Sequence, residues 1–216
     1  MSGLTSACSD TLPERLSFEV FVRNGIPFAA ATAAAAALSC GINGPIVFNV
    51  LPLNGTGVYN EQVEFLAPQN NNATNTITIN GNGNKITFAA TLAAAPWTFM
   101  LSGTDYVSVN NLVIEGTNTA IALPCHLWNG ADNNTFTNCT ISGAFNSITT
   151  SVVVFSISGS QNSGTSAGLT GVGSGNNNVL DGCTIRNGGV GVNFVGTTVV
   201  SGGLGGPLGT GGNRFN

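Results

Sequence analysis

Charge is what this chain has least of. Asp, Glu, Lys and Arg together make up 6% of its 216 residues, against about a quarter in an ordinary globular domain. With a net charge of −4 and no basic cluster, the electrostatic footprint of a nucleic-acid-binding protein is missing. Long apolar runs are missing too. The most apolar window, Phe28 to Leu38, is about half of what a bilayer span needs, so no transmembrane segment is expected. The polar start Met1-Ser2-Gly3-Leu4-Thr5 lacks the basic residues of a secretory leader. Cys8, Cys40, Cys125, Cys139 and Cys183 include no Cys-x-x-Cys pair, which removes zinc-site spacing; no metal site is expected. The apolar share of 42% is nevertheless close to normal, so this is not the composition of a disordered chain.

What replaces charge is amide, hydroxyl and glycine: the chain carries 30 Gly and 28 Asn. They punctuate a repeat. Asn133-Asn134-Thr135-Phe136-Thr137-Asn138-Cys139-Thr140-Ile141 is written again as Asn177-Asn178-Val179-Leu180-Asp181-Gly182-Cys183-Thr184-Ile185. An earlier relative runs from Tyr106 to Ile114, with Val109, Leu112 and Ile114 in register, and another begins at Gly212-Asn213-Arg214-Phe215-Asn216. A short strand recurring every few dozen residues between Gly/Asn/Ser turns is the pattern of a coiled β-array. In such an array like residues stack on like, which predicts columns Val109–Phe136–Leu180 and Leu112–Cys139–Cys183. Asn111 and Asn138, at one bend, would form an amide ladder. The expected fold is all-β, a right-handed parallel β-helix (solenoid) with an N-terminal α-helical cap.

In chain order, Leu16 to Arg23 alternates like a short strand, and the alanine-rich Phe28 to Leu38 reads as one helix stopped near Gly41. Residues 1–45 are therefore taken as a capping region and 46–216 as coils, incomplete at the C-terminus. Strands are expected at Ile46 to Val50, Val58 to Phe65, Thr76 to Ile79 and Lys85 to Phe88, with a turn at Asn80-Gly81-Asn82-Gly83-Asn84. From Phe99 onward each coil pairs the repeat strand with a looser apolar run: Ala120 to Leu123, Val152 to Ile157, then Val190 to Val195. Ser158 to Asn176 reads as one long loop leaving a coil. A Cys8–Cys40 disulfide is one candidate pairing.

The two repeats at Asn133 to Ile141 and Asn177 to Ile185 resemble the parallel β-helix repeat of pectate-lyase-like proteins. The segment Ala34 to Gln62, with Cys40-Gly41-Ile42-Asn43-Gly44-Pro45 and Tyr59-Asn60-Glu61-Gln62, resembles the N-terminal part of right-handed β-helix proteins secreted by Bacteroidota-type bacteria. Together the resemblances cover roughly residues 28–216. They imply a secreted or cell-surface location and a fold that hosts lyases, hydrolases, epimerases and adhesins alike.

A lyase on this scaffold needs carboxylates for Ca²⁺ and a base for the proton α to a uronate carboxyl. The catalytic candidates are Asp181, Arg186 and Asp132. Asp181 and Arg186 are five apart, opposite faces of a continuous strand. Hydrolases of this architecture use clustered aspartates, and this chain has no Asp-Asp. Cys125 beside His126 could suggest a thiol nucleophile, but adjacent strand residues face opposite ways. For sugar stacking the aromatic candidates are Trp97, Trp128, Tyr59 and Tyr106, and the expected carbohydrate-binding set is Trp128, Asn129, Asp132 and Tyr106. The leading expectation is a non-catalytic scaffold or adhesin-like module with polysaccharide or a surface glycan as partner. It needs no cofactor; Ca²⁺ would enter only with the rival reading, a polysaccharide lyase. A third reading is a filament subunit that associates end to end.

Overall fold

The computed structural model describes residues 17–19, 32, 35–36, 38–52, 55–145, 149–159, 161, 175–194 and 213–216. After Ser17–Glu19 (β1), the strands come in threes. The first coil holds Ile46–Asn49 (β2), Val58–Asn60 (β3) and Val63–Leu66 (β4). The second holds Ile77–Asn80 (β5), Lys85–Phe88 (β6) and Trp97–Ser102 (β7); the third, Val107–Asn110 (β8), Val113–Gly116 (β9) and Leu123–Trp128 (β10). Thr135–Thr137 (β11), Thr140–Ser142 (β12) and Val153–Ser158 (β13) form the fourth, and Val179–Asp181 (β14), Thr184–Arg186 (β15) and Val190–Phe194 (β16) the fifth. Arg214–Phe215 (β17) starts a sixth.

The first strands of the coils stack as one sheet, β1-β2-β5-β8-β11-β14-β17. The second strands make β3-β6-β9-β12-β15 and the third β4-β7-β10-β13-β16. Every pairing is parallel. The fold is a parallel β-helix. Equivalent positions return after 31, 30, 27, 44 and 35 residues. The uneven lengths leave the strands in register because the extra residues sit at the corners.

Burial follows from the stacking. Phe136 lies between Val109 and Leu180, as the repeat predicts, and Ile86, Ile114, Ile141 and Ile185 form a second column. Phe48, Phe65, Phe99, Phe136 and Phe155 run through the interior with successive ring centroids 5.5–6.5 Å apart, within the range of favourable tilted and edge-to-face contacts. The first sheet alternates buried and half-buried residues, as in β2, β5 and β8. The third sheet does not: all six residues of β7 and of β13 are buried. A parallel sheet covered on both faces reads as a continuous apolar run, which is why Trp97-Thr98-Phe99-Met100-Leu101 shows no clean alternation.

Three expectations are corrected. The repeat is two strands, not one, because Asn111, Asn138 and Gly182 take left-handed φ of 48°, 53° and 60° and bend the chain between the first and second sheets. The amide ladder runs one residue earlier than expected: Asn80 Nδ2 donates to Asn49 Oδ1 at 2.9 Å, and Asn110 Nδ2 to Asn80 Oδ1 at 3.2 Å. Val58 to Phe65 is likewise broken, at Glu61-Gln62, into β3 and β4 on different sheets. Glu61 is buried there, and its carboxylate accepts from Thr32 N and Oγ1 at 3.0 and 2.5 Å. Thr32, Ala35 and Ala36 are helical, and Leu38–Cys40 is a 3-10 turn. The rest of the expected cap, most of the Leu16 to Arg23 strand, Cys8 and most of the Ser158 to Asn176 loop lie outside the described residues.

Candidate functional site

The corner by which each coil returns to the first sheet carries the densest polar chemistry. Two hydrogen-bonded ladders run through it in opposite senses. In the outer one the side chain reaches forward to the next coil: Asn71 Oδ1 accepts from Asp105 N at 2.8 Å, Asp105 Oδ1 from Asp132 N at 2.7 Å, and Asp132 Oδ1 from Asn176 N at 2.6 Å. In the inner one it reaches back: Asn134 Oδ1 accepts from Val107 N at 2.8 Å, Asn178 Oδ1 from Asn134 N at 2.9 Å, and Asn213 Oδ1 from Asn178 N at 2.6 Å. Asn134 and Asn178 are fully buried, and their Nδ2 groups donate to Thr104 O and Ala131 O, both at 3.0 Å. Such satisfied amides replace backbone partners that the turn cannot supply.

Asp105 and Asp132 stack in adjacent coils. Burial raises the Asp105 carboxyl above its ordinary value; the hydrogen bond from Asp132 N opposes this, and the nearby Asp132 charge adds to it.

The four expected carbohydrate-binding residues lie along this corner. Trp128 ends β10, and Asn129 follows it in a left-handed conformation with φ 59°. Asp132 sits in the outer ladder, and Tyr106, one coil earlier, donates its backbone N–H to Asp132 O at 3.1 Å. Asn129 is exposed, while Trp128, Asp132 and Tyr106 are half-buried. Trp128 Nε1 donates to Gly159 O at 3.2 Å, which fixes the indole against the next coil. Tyr106 holds a φ of 51° where the following coils place Asn133 and Asn177 at 58° and 55°. A tyrosine in a left-handed conformation is uncommon and marks this position.

The three catalytic candidates do not converge. Asp181 is exposed on the first sheet, Arg186 is exposed on the second, and Asp132 lies in the return corner. The expectation of opposite faces on one strand fails because the bend at Gly182-Cys183 intervenes. The ion pair recorded among the described residues is Lys85–Glu115, at 3.1 Å. Tyr59 and Trp97 are buried, at 3% and 7% exposure, and the Tyr59 hydroxyl donates to Leu51 O; neither offers a stacking face. Cys125 belongs to the interior, and neighbouring His126, also fully buried, places Nδ1 3.3 Å from Ser156 O.

A cleft of about 430 Å³ lies where Thr32, Ala35 and Ala36 meet Gln62, Glu64 and Trp97. Burial raises the Glu64 carboxyl, and a hydrogen bond donated by Ser102 opposes it. Gln62 Nε2 donates to Ala95 O and Trp97 O, both at 2.9 Å, so Glu61 and Gln62 are tied into the structure, as a turn-bonding role requires.

Sequence reasoning missed the inner ladder. Its signal was present: Asn134, Asn178 and Asn213 occupy one repeat position. No family model, curated protein or solved structure matches this chain.

Proposed function

We propose that this chain is an extracellular or cell-surface β-helix scaffold, adhesin-like in role, that binds polysaccharide along its return corner. The observation that carries this reading is the placement of Tyr106, Trp128, Asn129 and Asp132 along one corner of adjacent coils, where Tyr106 N donates to Asp132 O, so that two aromatic residues share a corner with amide and carboxylate groups. A flat ring beside fixed hydrogen-bonding groups suits a pyranose, whose faces are apolar and whose rim is hydroxylated. The low charge and amide-rich composition favour a neutral or weakly acidic glycan over a strongly anionic one. The resemblance of the repeat to that of pectate-lyase-like proteins supports the same class of ligand.

Affinity electrophoresis over a panel of neutral and uronate polysaccharides tests it. At least one glycan should retard the protein, with Trp128→Ala weakening binding by about tenfold, as loss of a stacking platform worth about 1 kcal/mol or more would do, while Asp181→Asn leaves binding intact. An unsaturated-uronate signal that needs Ca²⁺ and disappears in Arg186→Ala would replace the scaffold with a lyase. No retardation by any glycan, with elution well above monomer size, would replace it with a filament subunit.

A further inference from the structure

Cys139 and Cys183 stand at the same position of adjacent coils: Thr140 pairs with Thr184, and Thr184 N donates to Cys139 O at 2.8 Å. Leu112 fills this position one coil earlier, so the bland role is apolar packing in the column Leu112–Cys139–Cys183. Two features go beyond packing. The sulfurs point the same way along the axis, Cys139 Sγ lying 3.4 Å from Val109 O and Cys183 Sγ 3.3 Å from Phe136 O. The Cys183 sulfur thus leans toward the coil that holds Cys139. The pair is also graded in access, since Cys139 is 1% exposed and Cys183 only half-buried.

We infer that Cys183 is a thiol-modification site that attacks low-molecular-weight disulfides, and that Cys139 resolves the adduct into a disulfide between the two coils. The cysteines directly precede the paired residues Thr140 and Thr184, and residues paired across neighbouring parallel strands have Cα atoms ~4.8 Å apart, inside the ~4.4–6.8 Å range that a disulfide spans. Both thiols are free in this structure, and side-chain rotation is what closure requires.

The electrostatics agree with the order of events. A hydrogen bond from the Cys139 thiol lowers the Cys183 thiol to about 7, against the opposing effect of burial. Cys139 is raised by the neighbouring Cys183 and by its burial. Thiolate is the attacking species, so Cys183 reacts first. Its sulfur attacks one sulfur of a small disulfide, forming a mixed disulfide and releasing one small thiolate. Cys139 then gives up its proton, attacks Cys183 Sγ and expels the second small thiolate. The net change oxidises two protein thiols and reduces one small disulfide to two thiols. Cys125, fully buried and raised by burial, stays out of the exchange.

The test incubates the full chain with oxidised glutathione, alkylates remaining thiols and maps peptides. The expected result is a linked pair of peptides containing Cys139 and Cys183, reversed by dithiothreitol. Cys139→Ser should trap a glutathione adduct on Cys183, and Cys183→Ser should leave Cys139 unmodified; circular dichroism of both variants confirms that the coils are intact. Unmodified Cys139 and Cys183 in the wild-type chain, under conditions that oxidise a reference dithiol, would overturn the inference. So would a link from either residue to Cys125.

Discussion

The third, fourth and fifth coils leave the first sheet through a two-residue bend and return to it through a longer, amide-bonded turn. At the exit, Asn111-Leu112, Asn138-Cys139 and Gly182-Cys183 do the same work: one residue in a left-handed conformation turns the chain, and the next packs into the column, fully buried at Leu112 and Cys139 and half-buried at Cys183. At the return, two side-chain ladders carry the structure, and the chain between them varies in length from coil to coil. The exit is held by local conformation, with few ways to change. The return is held by side chains, and Trp128, Asn129 and Tyr106 lie along it.

The comparison breaks most clearly at the inner ladder. Asn134→Ala removes the acceptor for Val107 N and the donor for Thr104 O, leaving two buried backbone groups without partners. At about 1–3 kcal/mol each, the loss is about 2–6 kcal/mol, read from urea denaturation. A loss below about 1 kcal/mol would mean that the return corner does not depend on the ladder.

The exit corner should respond to backbone geometry instead. Asn138→Val forces a β-branched residue into φ 53° and should cost about 1–2 kcal/mol. Asn138→Gly should be nearly neutral, since Gly182 already occupies that position in the next coil. Equal losses from both variants would show that the Asn138 side chain, not its backbone conformation, holds the bend.

The same contrast explains what the sequence made legible. The exit corner could be read because its residue types are forced: Asn or Gly for the left-handed turn, then a small or apolar residue, repeated at Asn111, Asn138 and Gly182. The columns Val109–Phe136–Leu180 and Leu112–Cys139–Cys183 followed from that alignment. The division of the repeat into two strands did not follow, because a bend within an alternating stretch leaves the buried positions almost in phase. The third sheet was harder again. Covered on both faces, it loses the alternation that marks a strand, so Leu123–Trp128 was foreseen only at its first residue. The meeting of Tyr106 with Asp132 depends on coil length, which composition does not encode. Of the candidate residues, Tyr106, Trp128, Asn129 and Asp132 share the return corner, while Asp181 and Arg186 are separated by a bend that their spacing conceals.

The smallest effect distinguishes the two ladders from each other. The inner one is neutral, whereas the outer one stacks Asp105 under Asp132. A carboxyl raised in the folded state binds more protons than in the unfolded chain, so its contribution to stability is greatest below the unfolded value and is lost as pH rises through the folded one. For Asp105 that window opens near its ordinary value of 3.8 and extends upward, because burial raises the folded pKa. Asp105→Asn keeps an oxygen that can accept from Asp132 N and removes the charge. Its melting temperature should exceed that of the wild type by about 1–3 °C at pH 7, the scale of a fraction of a kcal/mol to about 1 kcal/mol in a chain of this length. The difference should close as pH falls toward 4. A gap that persists at low pH would place the benefit outside the titration of Asp105. A variant less stable than the wild type at pH 7 would mean that the charged form strengthens the hydrogen bond from Asp132 N by more than burial and repulsion take away.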